Sequence, residues 1–266
     1  MGSLRDFIAR HRRLFVLTGA GCSTDSGIPD YRDANGGWKR SPPVNFQSFM
    51  GGETVRQRYW ARSFVGWQRF RRAEPNAAHA ALARLEQQGR LQQLVTQNVD
   101  GLHQAAGSMN VIDLHGRLDR VRCTGCDSLV PREELQAELL RRNSKWSGLQ
   151  GLAAPDGDAD LDGLPFGEYS VPSCTRCDGV LKPDVVFFGE AVPRPRVDAA
   201  MRQLEQADAV LVVGSSLMVY SGYRFVHAAA QAGKPIAAVN LGRTRADELL
   251  TLKVSEPCAL ALACGL

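Results

Sequence analysis

The sequence predicts an α/β fold in which a parallel sheet, covered by helices on both faces, is interrupted by a smaller inserted module. Three observations predict it. Short, continuously apolar segments alternate with helical patterns in the early and late parts of the chain. Each such segment stops at a polar or glycine-rich run, as strands do where an α/β sheet meets its ligand. Between about Leu118 and Leu181 the alternation breaks, and two Cys-x-x-Cys pairs lie inside the gap. A chain of 266 residues has room for one large domain and a satellite. The expected division is a Rossmann-like domain over 1–117 and 182–266 and the module over 118–181, with 33–75 adding a small helical part.

The elements follow in order. Leu14-Phe15-Val16-Leu17 is a short strand running into Thr18-Gly19-Ala20-Gly21. Asn76 caps a helix to Gln88, with Ala78, Leu82 and Leu85 on one face and Gly89 as its stop. Leu91 to Val95 is a second strand, ending at Thr96-Gln97-Asn98-Val99-Asp100-Gly101. Arg132 to Arg142 is an amphipathic helix inside the module, followed by an acidic, Gly- and Pro-rich stretch from Gly151 to Gly167. Val197, Ala200, Met201, Leu204 and Ala207 recur at helical spacing before the apolar strand Ala209-Val210-Leu211-Val212-Val213, which stops at Gly214-Ser215-Ser216. A helix through Phe225 to Gln231 leads to Pro235-Ile236-Ala237-Ala238-Val239 and its stop, Asn240-Leu241-Gly242.

Composition narrows the function classes. Hydrophobic residues are 44% and charged residues 23%, which excludes a mainly disordered chain, a fibre or a coiled coil. No apolar run approaches the 18 or so residues that a membrane span requires. The N-terminus runs almost at once into a strand-like segment, so neither a signal peptide nor a myristoylation signal is expected, and a cytoplasmic setting is. The net charge of +4 is scattered. Arg69-Phe70-Arg71-Arg72 reads as a solvated helix face, with contact to an anion as the functional alternative, and no stripe strong enough for nucleic acid is present.

Four of the seven cysteines form two knuckles, Cys123/Cys126 and Cys174/Cys177. In a reducing compartment this spacing indicates one tetrahedral four-thiolate Zn2+ site, with Gly125 and Gly179 suited to the tight turns. Four sulfurs leave no open position, so the metal is expected to be structural; two unrelated thiol pairs, or a redox Cys-x-x-Cys, are the other readings. Cys22, Cys258 and Cys264 remain as buried small residues or pocket linings.

Gly19-Ala20-Gly21 after a strand permits a tight turn and close approach of a pyrophosphate, favoured by a following helix N-terminus. Thr24 stands where a dinucleotide fingerprint has its third glycine, and no acidic strand end follows at about 20 residues, which disfavours a dehydrogenase.

The run Gly19-Ala20-Gly21-Cys22-Ser23-Thr24-Asp25-Ser26-Gly27-Ile28-Pro29-Asp30-Tyr31-Arg32 resembles the NAD-binding signature of the sirtuins, the NAD-dependent protein-lysine deacylases. The resemblance continues, over roughly Leu14 to Leu252, through Thr96 to His103, Leu114-His115-Gly116, both cysteine pairs, Lys182 to Glu190 and Gly214-Ser215-Ser216-Leu217. Arg56 to Arg62, Ala154 to Asp158 and Val219 to Phe225 look more like the class II branch, to which the mitochondrial lipoamidase and ADP-ribosyltransferase belongs. Without a transit peptide, a bacterial homologue is expected; a trimmed eukaryotic chain would belong to the mitochondrial matrix.

The resemblance implies an acyl-lysine protein or peptide substrate, with NAD as co-substrate. Nicotinamide leaves a cationic C1′ centre, the acyl oxygen attacks it, and a base takes a ribose proton. His115 matches that base, a task a neutral histidine suits. Asn98 and Asp100 match residues that orient the nicotinamide ribose and amide, and Gln97, with Val99 between them, a ribose position. Arg32 would approach the diphosphate, while Ala20, Pro29, Asp30 and Tyr31 line the nicotinamide side; Asp25 either joins them or caps a helix. Gly214, Ser215 and Ser216 resemble adenosine-ribose contacts, and Asn240, with Leu241 and Gly242, stands in place of an acidic ribose ligand. Cys258 aligns with an adenine contact or is a core thiol. Val185, Val186 and Phe187 should offer a backbone edge to an extended peptide, or form a buried strand, or both.

Tyr59 and Arg62 share a helical face and match the residue types that select succinyl or malonyl groups, though their surroundings do not match; a surface salt bridge is the other reading of Arg62. A preference for longer or branched acyl groups is expected. A monomer is expected. Two other functions are alternatives: protein mono-ADP-ribosylation with the same cofactor chemistry, and an NAD-sensing binding module without turnover. The intact Gln97-Asn98-Val99-Asp100 and His115 speak against the second, since a sensor needs no base.

Overall fold

The computed structural model describes residues 3–39, 43–161 and 163–265. In chain order the elements begin with α1 (Leu4–Arg10), β1 (Leu14–Thr18), α2 (Phe46–Gly51), α3 (Glu53–Phe70) and α4 (Ala77–Gln87). Next come β2 (Leu91–Thr96), α5 (Leu102–Ala105), β3 (Val111–Asp113), β4 (Gly116–Cys123), β5 (Leu129–Pro131) and α6 (Arg132–Arg142). A hairpin of β6 (Leu152–Ala153) and β7 (Ala159–Asp160) precedes β8 (Leu181–Val185). The chain ends with α7 (Arg194–Gln206), β9 (Ala209–Val213), α8 (Tyr220–Gln231), β10 (Ile236–Val239), β11 (Leu252–Val254) and α9 (Cys258–Gly265). Among the described residues no helix is long and apolar enough to cross a membrane.

The chain forms two compact units, one of Met1–Ser41, Glu74–Leu114 and Val192–Leu266, the other of Pro42–Ala73 and His115–Ala191. The first holds a parallel sheet in the order β11-β10-β9-β1-β2-β3. Continuous apolar strands are required because both faces are covered. Leu14 and Val16 pack on one face with α1, α4 and α9, whereas Phe15 and Leu17 pack on the other with α7 and α8. The chain order reverses about β1, which pairs with both β2 and β9, so the topological switch point, where such sheets take their ligands, lies at the ends of these strands.

Helix α1 precedes the first strand, where the sequence assigns no element. Its signal is local: Ser3 Oγ accepts from the Asp6 amide at 3.1 Å and the Asp6 carboxylate accepts from the Ser3 amide at 3.0 Å, a reciprocal cap. Leu4, Phe7 and Ile8 then share the buried face.

The second unit contains the antiparallel sheet β5-β4-β8, with β8 at its edge among the described strands. Its core joins Phe49, Tyr59, Trp60 and Phe64 to Val121, Leu135, Leu139 and Trp146. Arg132 is buried there, its guanidinium 5.4 Å from the Trp60 ring and 5.1 Å from the Trp67 ring, with a 2.6 Å hydrogen bond to Gln136. The β6–β7 hairpin lies against α3 at Gly66, where a Cβ would stand 2.3 Å from the Gly157 carbonyl oxygen. Arg69, Arg71 and Arg72 are exposed at and beyond the end of α3, and Arg71 pairs with Glu133.

Candidate cofactor site, zinc centre and substrate edge

In the first unit the loops after β1, β2, β9 and β10 carry most of the expected cofactor residues, at one rim of the sheet. Three glycines let two of these loops touch. The Gly21 amide donates to the Gly214 carbonyl at 2.8 Å, and a Cβ on Gly19 would meet that same oxygen at 2.8 Å. Gly214 itself has φ +63, with no space for a Cβ against the Cys22 nitrogen at 2.2 Å. The segment after Gly19 is not an α-helix. It forms two 3₁₀ turns, Ala20–Cys22 and Thr24–Ser26, closed by Gly27 at φ +82, so no long helix dipole faces an anion here. Asp25 is exposed in the second turn, whose cap position is Ser23, and Asp25 therefore does not cap it.

Beyond β2, Asn98 and Asp100 are tied to the first loop. Asn98 Nδ2 donates to the Gly19 carbonyl at 3.1 Å and to Ser23 Oγ at 3.0 Å, and its amide donates to Thr96 Oγ1. Ser23 Oγ donates to Asp100 Oδ2 at 2.7 Å, while Asp100 Oδ1 accepts from the Leu102 amide. Gln97 Oε1 accepts from Ser215 Oγ at 2.7 Å, joining the ends of β2 and β9. Ser216 is half-buried, and its carbonyl accepts from the Arg245 amide. Asn240 Nδ2 donates to the Gly242 carbonyl at 3.0 Å, and Leu241 is exposed.

Pro29, Asp30, Tyr31 and Arg32 are half-buried. Arg32 donates to the Gly36 carbonyl at 2.7 Å and lies 4.1 Å over the Trp38 ring, and Asp30 pairs with Lys39. Cys258 sits in the sheet core beneath the rim, its thiol pushed up to about 12 by burial. Cys22 is buried too, and the side chain of Cys264 lies outside the described residues.

Ser23, Thr18, Thr96, His79 and His103, to none of which the sequence assigns a role, complete this network. Thr18 Oγ1 donates to Thr96 Oγ1 at 2.8 Å and meets His103 Nε2 at 2.9 Å. Burial holds both histidines neutral, His79 down to about 4 and His103 down to about 3. Ser23 lies inside the glycine motif, and His79 lies three residues after the helix cap at Asn76; those are the available signals.

In the second unit Cys123, Cys126, Cys174 and Cys177 bring their sulfurs within 4.8 Å of one another, with Cys123–Cys177 at 3.5 Å and Cys126–Cys174 at 3.8 Å. A tetrahedral zinc ion with bonds of about 2.3 Å separates its sulfurs by about 3.8 Å, so the four thiolates fit it. Backbone amides of Gly125 and Arg176 point at Cys123 and Cys174 sulfurs, and the Arg176 amide holds the Cys174 thiol down to about 6. The left-handed positions of the two knuckles are Asp127 and Asp178, not the glycines. Gly179 is needed for space instead, since a Cβ there would stand 2.8 Å from Cys123 Sγ.

His115 is half-buried at the start of this unit, and its carbonyl accepts from the Val186 amide at 2.8 Å. Val185 and Val186 are half-buried at the edge strand's end. Phe187 points inward, 5.2 Å from the Phe49 ring and 5.3 Å from the Tyr59 ring, so its side chain belongs to the core. Lys182 donates to the Val185 carbonyl and to Glu190 Oε2, which also accepts from the Phe187 amide at 2.8 Å.

Tyr59 is buried in the same aromatic cluster. The Arg62 guanidinium is held by the β6–β7 hairpin: Nε donates to the Ala159 carbonyl at 3.0 Å, Nη2 pairs with Asp160 at 2.8 Å, and Asp158 lies 3.9 Å away.

Polar loop ends gathered at the switch point of a parallel sheet, with a four-cysteine cluster that fits zinc, define a Rossmann-like α/β protein with a candidate metal module. The Sir2 family model matches residues 19–221, and the chain belongs to that family. It is 67% identical to an NAD-dependent protein deacetylase of Xanthomonas campestris pv. campestris (strain 8004), over 98% of this chain and 89% of the relative. It is 50% identical to NAD-dependent protein deacetylase 1 of Streptomyces coelicolor, over 94% of this chain and 83% of the relative. Among solved structures, a complex described as Sir2–p53 peptide–NAD+ aligns with a TM-score of 0.77 at 30% identity, over 97% of this chain and 94% of that one.

Proposed function

We propose that this chain is an NAD-dependent protein-lysine deacylase and, in place of the longer or branched acyl preference expected from the sequence, that it acts first on acetyl-lysine, since its relatives are named as deacetylases. It would transfer the acyl group to ADP-ribose, release nicotinamide, and yield free lysine and O-acyl-ADP-ribose. The observation that carries the reading is the network at the end of β2. Asn98 spends its amide hydrogens on Gly19 and Ser23, and Asp100 accepts from Ser23 and Leu102. Each side chain is thereby locked in one rotamer beside the glycine loop, as groups that orient a nicotinamide ribose must be.

In this reading Arg32 takes the diphosphate, Ser215, Ser216 and Asn240 take the adenosine ribose, and His115 removes the ribose proton once the acyl oxygen has attacked C1′. The Val185-Val186 edge holds the substrate backbone. Zinc takes no part in the chemistry and staples the knuckles. The arrangement of Arg62 supports uncharged acyl groups, because a guanidinium already paired with two aspartates has little left for a succinyl carboxylate. Membership of the class II branch rests on the sequence segments alone, two of which, on α3 and on the β6–β7 hairpin, meet through Arg62.

The test is nicotinamide release with mass spectrometry of products, across one peptide bearing acetyl, succinyl, lipoyl and 3-hydroxy-3-methylglutaryl lysine. The expected result is acetyl-dependent release matched by O-acetyl-ADP-ribose. Release with no acyl peptide, with label from NAD passing to protein, would replace this reading by ADP-ribosyl transfer.

A further inference from the structure

Behind the cofactor loop, Cys22, His79 and His103 bring ligand atoms within 4.8 Å of one another, all three buried. Hydrogen bonds decide what this group can do. Ser23 Oγ has one proton, and it is donated to Asp100 Oδ2 at 2.7 Å. Asn98 Nδ2 donates to one Ser23 lone pair at 3.0 Å. The other lies 3.4 Å from His79 Nε2, which therefore carries a hydrogen and donates. The far side of the ring agrees. His79 Nδ1 faces the Asn76 backbone amide at 3.2 Å, a donor, so that nitrogen is unprotonated. A neutral ring with Nδ1 engaged and Nε2 protonated has no lone pair for a metal.

Asn76 is held equally firmly. Its Oδ1 caps α4 through the Ala78 amide, and its Nδ2 donates to the Cys22 carbonyl at 2.9 Å and to Ser26 Oγ at 3.0 Å. One helix start thus grips the cofactor loop from outside and sets the tautomer of the histidine beneath it.

We propose that His79 is a positioning residue for the deacylation reaction: its Nε2 hydrogen fixes the Ser23 hydroxyl, which aims the Asp100 carboxylate and the Asn98 amide, and Asn76 selects the tautomer that makes this possible. The inference rests on the NAD-dependent reading above and adds to it a residue outside the glycine and Gln-Asn-Val-Asp motifs.

Kinetics with NAD and an acetyl-lysine peptide test it. His79→Leu should lower kcat/KM for NAD roughly three- to tenfold, the span of one hydrogen bond, and leave the peptide KM within twofold. His79→Gln offers Oε1 to Asn76 and Nε2 to Ser23 and should restore most of the loss. In a Ser23→Ala background His79→Leu should add less than a twofold effect. Additive losses, a Gln variant as poor as the Leu variant, or a peptide KM that rises with the NAD KM would overturn the proposal. A second measurement needs no variant. Imidazole nitrogen NMR of the unaltered protein should show His79 as the Nε2-protonated neutral tautomer at pH 6, and the opposite tautomer or a cation would overturn it too. Failure of the unaltered protein to bind NAD by calorimetry overturns the underlying reading and this inference with it. NAD bound and turned over as well by His79→Leu as by the unaltered protein overturns the inference alone.

Discussion

Gly116 and Asp184 stand so close that a Cβ on the glycine would lie 2.0 Å from the Asp184 carbonyl oxygen, at a backbone φ of +80. Only glycine permits this contact, and the residue before it is His115, whose own carbonyl takes the Val186 amide. The start of β4 is therefore held to the end of β8 at the histidine carbonyl and at the glycine that follows it. Gly116→Ala should cost about 2–4 kcal/mol from clash and left-handed strain together. Deacylation should fall by more than the folded fraction does; thermal melts with activity at a temperature where the variant is folded check this, and a variant of ordinary stability would contradict it.

His115→Ala tests the base directly. Turnover should fall by at least about a hundredfold, the lower bound for removing a general base. NAD affinity by calorimetry should stay within about threefold, because none of the loops around Asn98 and Ser215 is changed. Appreciable residual turnover would move the base elsewhere.

The zinc centre predicts a metal-dependent fold for the smaller unit. Cys174→Ser should lose the bound ion and unfold at a lower temperature, with metal measured by mass spectrometry on gel-filtered protein. Structural zinc in small modules contributes on the order of 10 kcal/mol, so a chelator should also abolish activity without touching the cofactor loops. A metal content near zero in the active protein would remove the centre.

The buried histidines set a pH dependence. His79 and His103 are held down to about 4 and about 3, against about 6.5 in an unfolded chain. The unfolded state binds more protons between those values, so this stability is fully present above about pH 6.5 and is lost as pH falls towards 4. Each ring contributes a slope of about 1.4 kcal/mol per pH unit in that window. Asp156 and Asp158, raised by burial, act in the opposite sense. The informative measurement is therefore a difference: His103→Gln should flatten the urea-derived stability slope between pH 6.5 and 5 by about that amount for one ring. An unchanged slope would mean that His103 is not a buried neutral ring.

Arg62 predicts a specificity result. Arg62→Gln should destabilise the second unit by about 1–3 kcal/mol, since Asp158 and Asp160 lose their cation. The ratio of succinyl to acetyl turnover should stay within about twofold. A selective loss of succinyl activity would show that Arg62 reaches the substrate after all.

The large elements were legible because burial on both faces writes itself into composition. Leu14 to Leu17 and Ala209 to Val213 have no polar residue to spare, and Asn76 and Gly89 mark the ends of α4 by cap chemistry. Cysteine spacing likewise determined the metal set, since two residues between thiols leave them little choice of partner. The glycine loop and the Gln-Asn-Val-Asp run were legible as motifs, and so was their place at the strand ends.

Other features were decided only in three dimensions, because they depend on which side chain fills a shared space. The Phe187 side chain is core because Phe49 and Tyr59 surround it. Arg62 is a structural cation because the β6–β7 hairpin returns to α3 across a glycine at position 66 that no local pattern explains. His79 lies outside every motif and His103 inside one but without a role, yet packing shuts water out, holds both rings neutral, and turns one of them into the donor that completes the Ser23 hydroxyl. Covalent order and hydrophobic pattern were enough for the sheet, the caps and the four thiols. Proton positions, ion-pair partners and the need for Gly66, Gly116 and Gly179 follow from contacts between distant segments, which a linear sequence does not display.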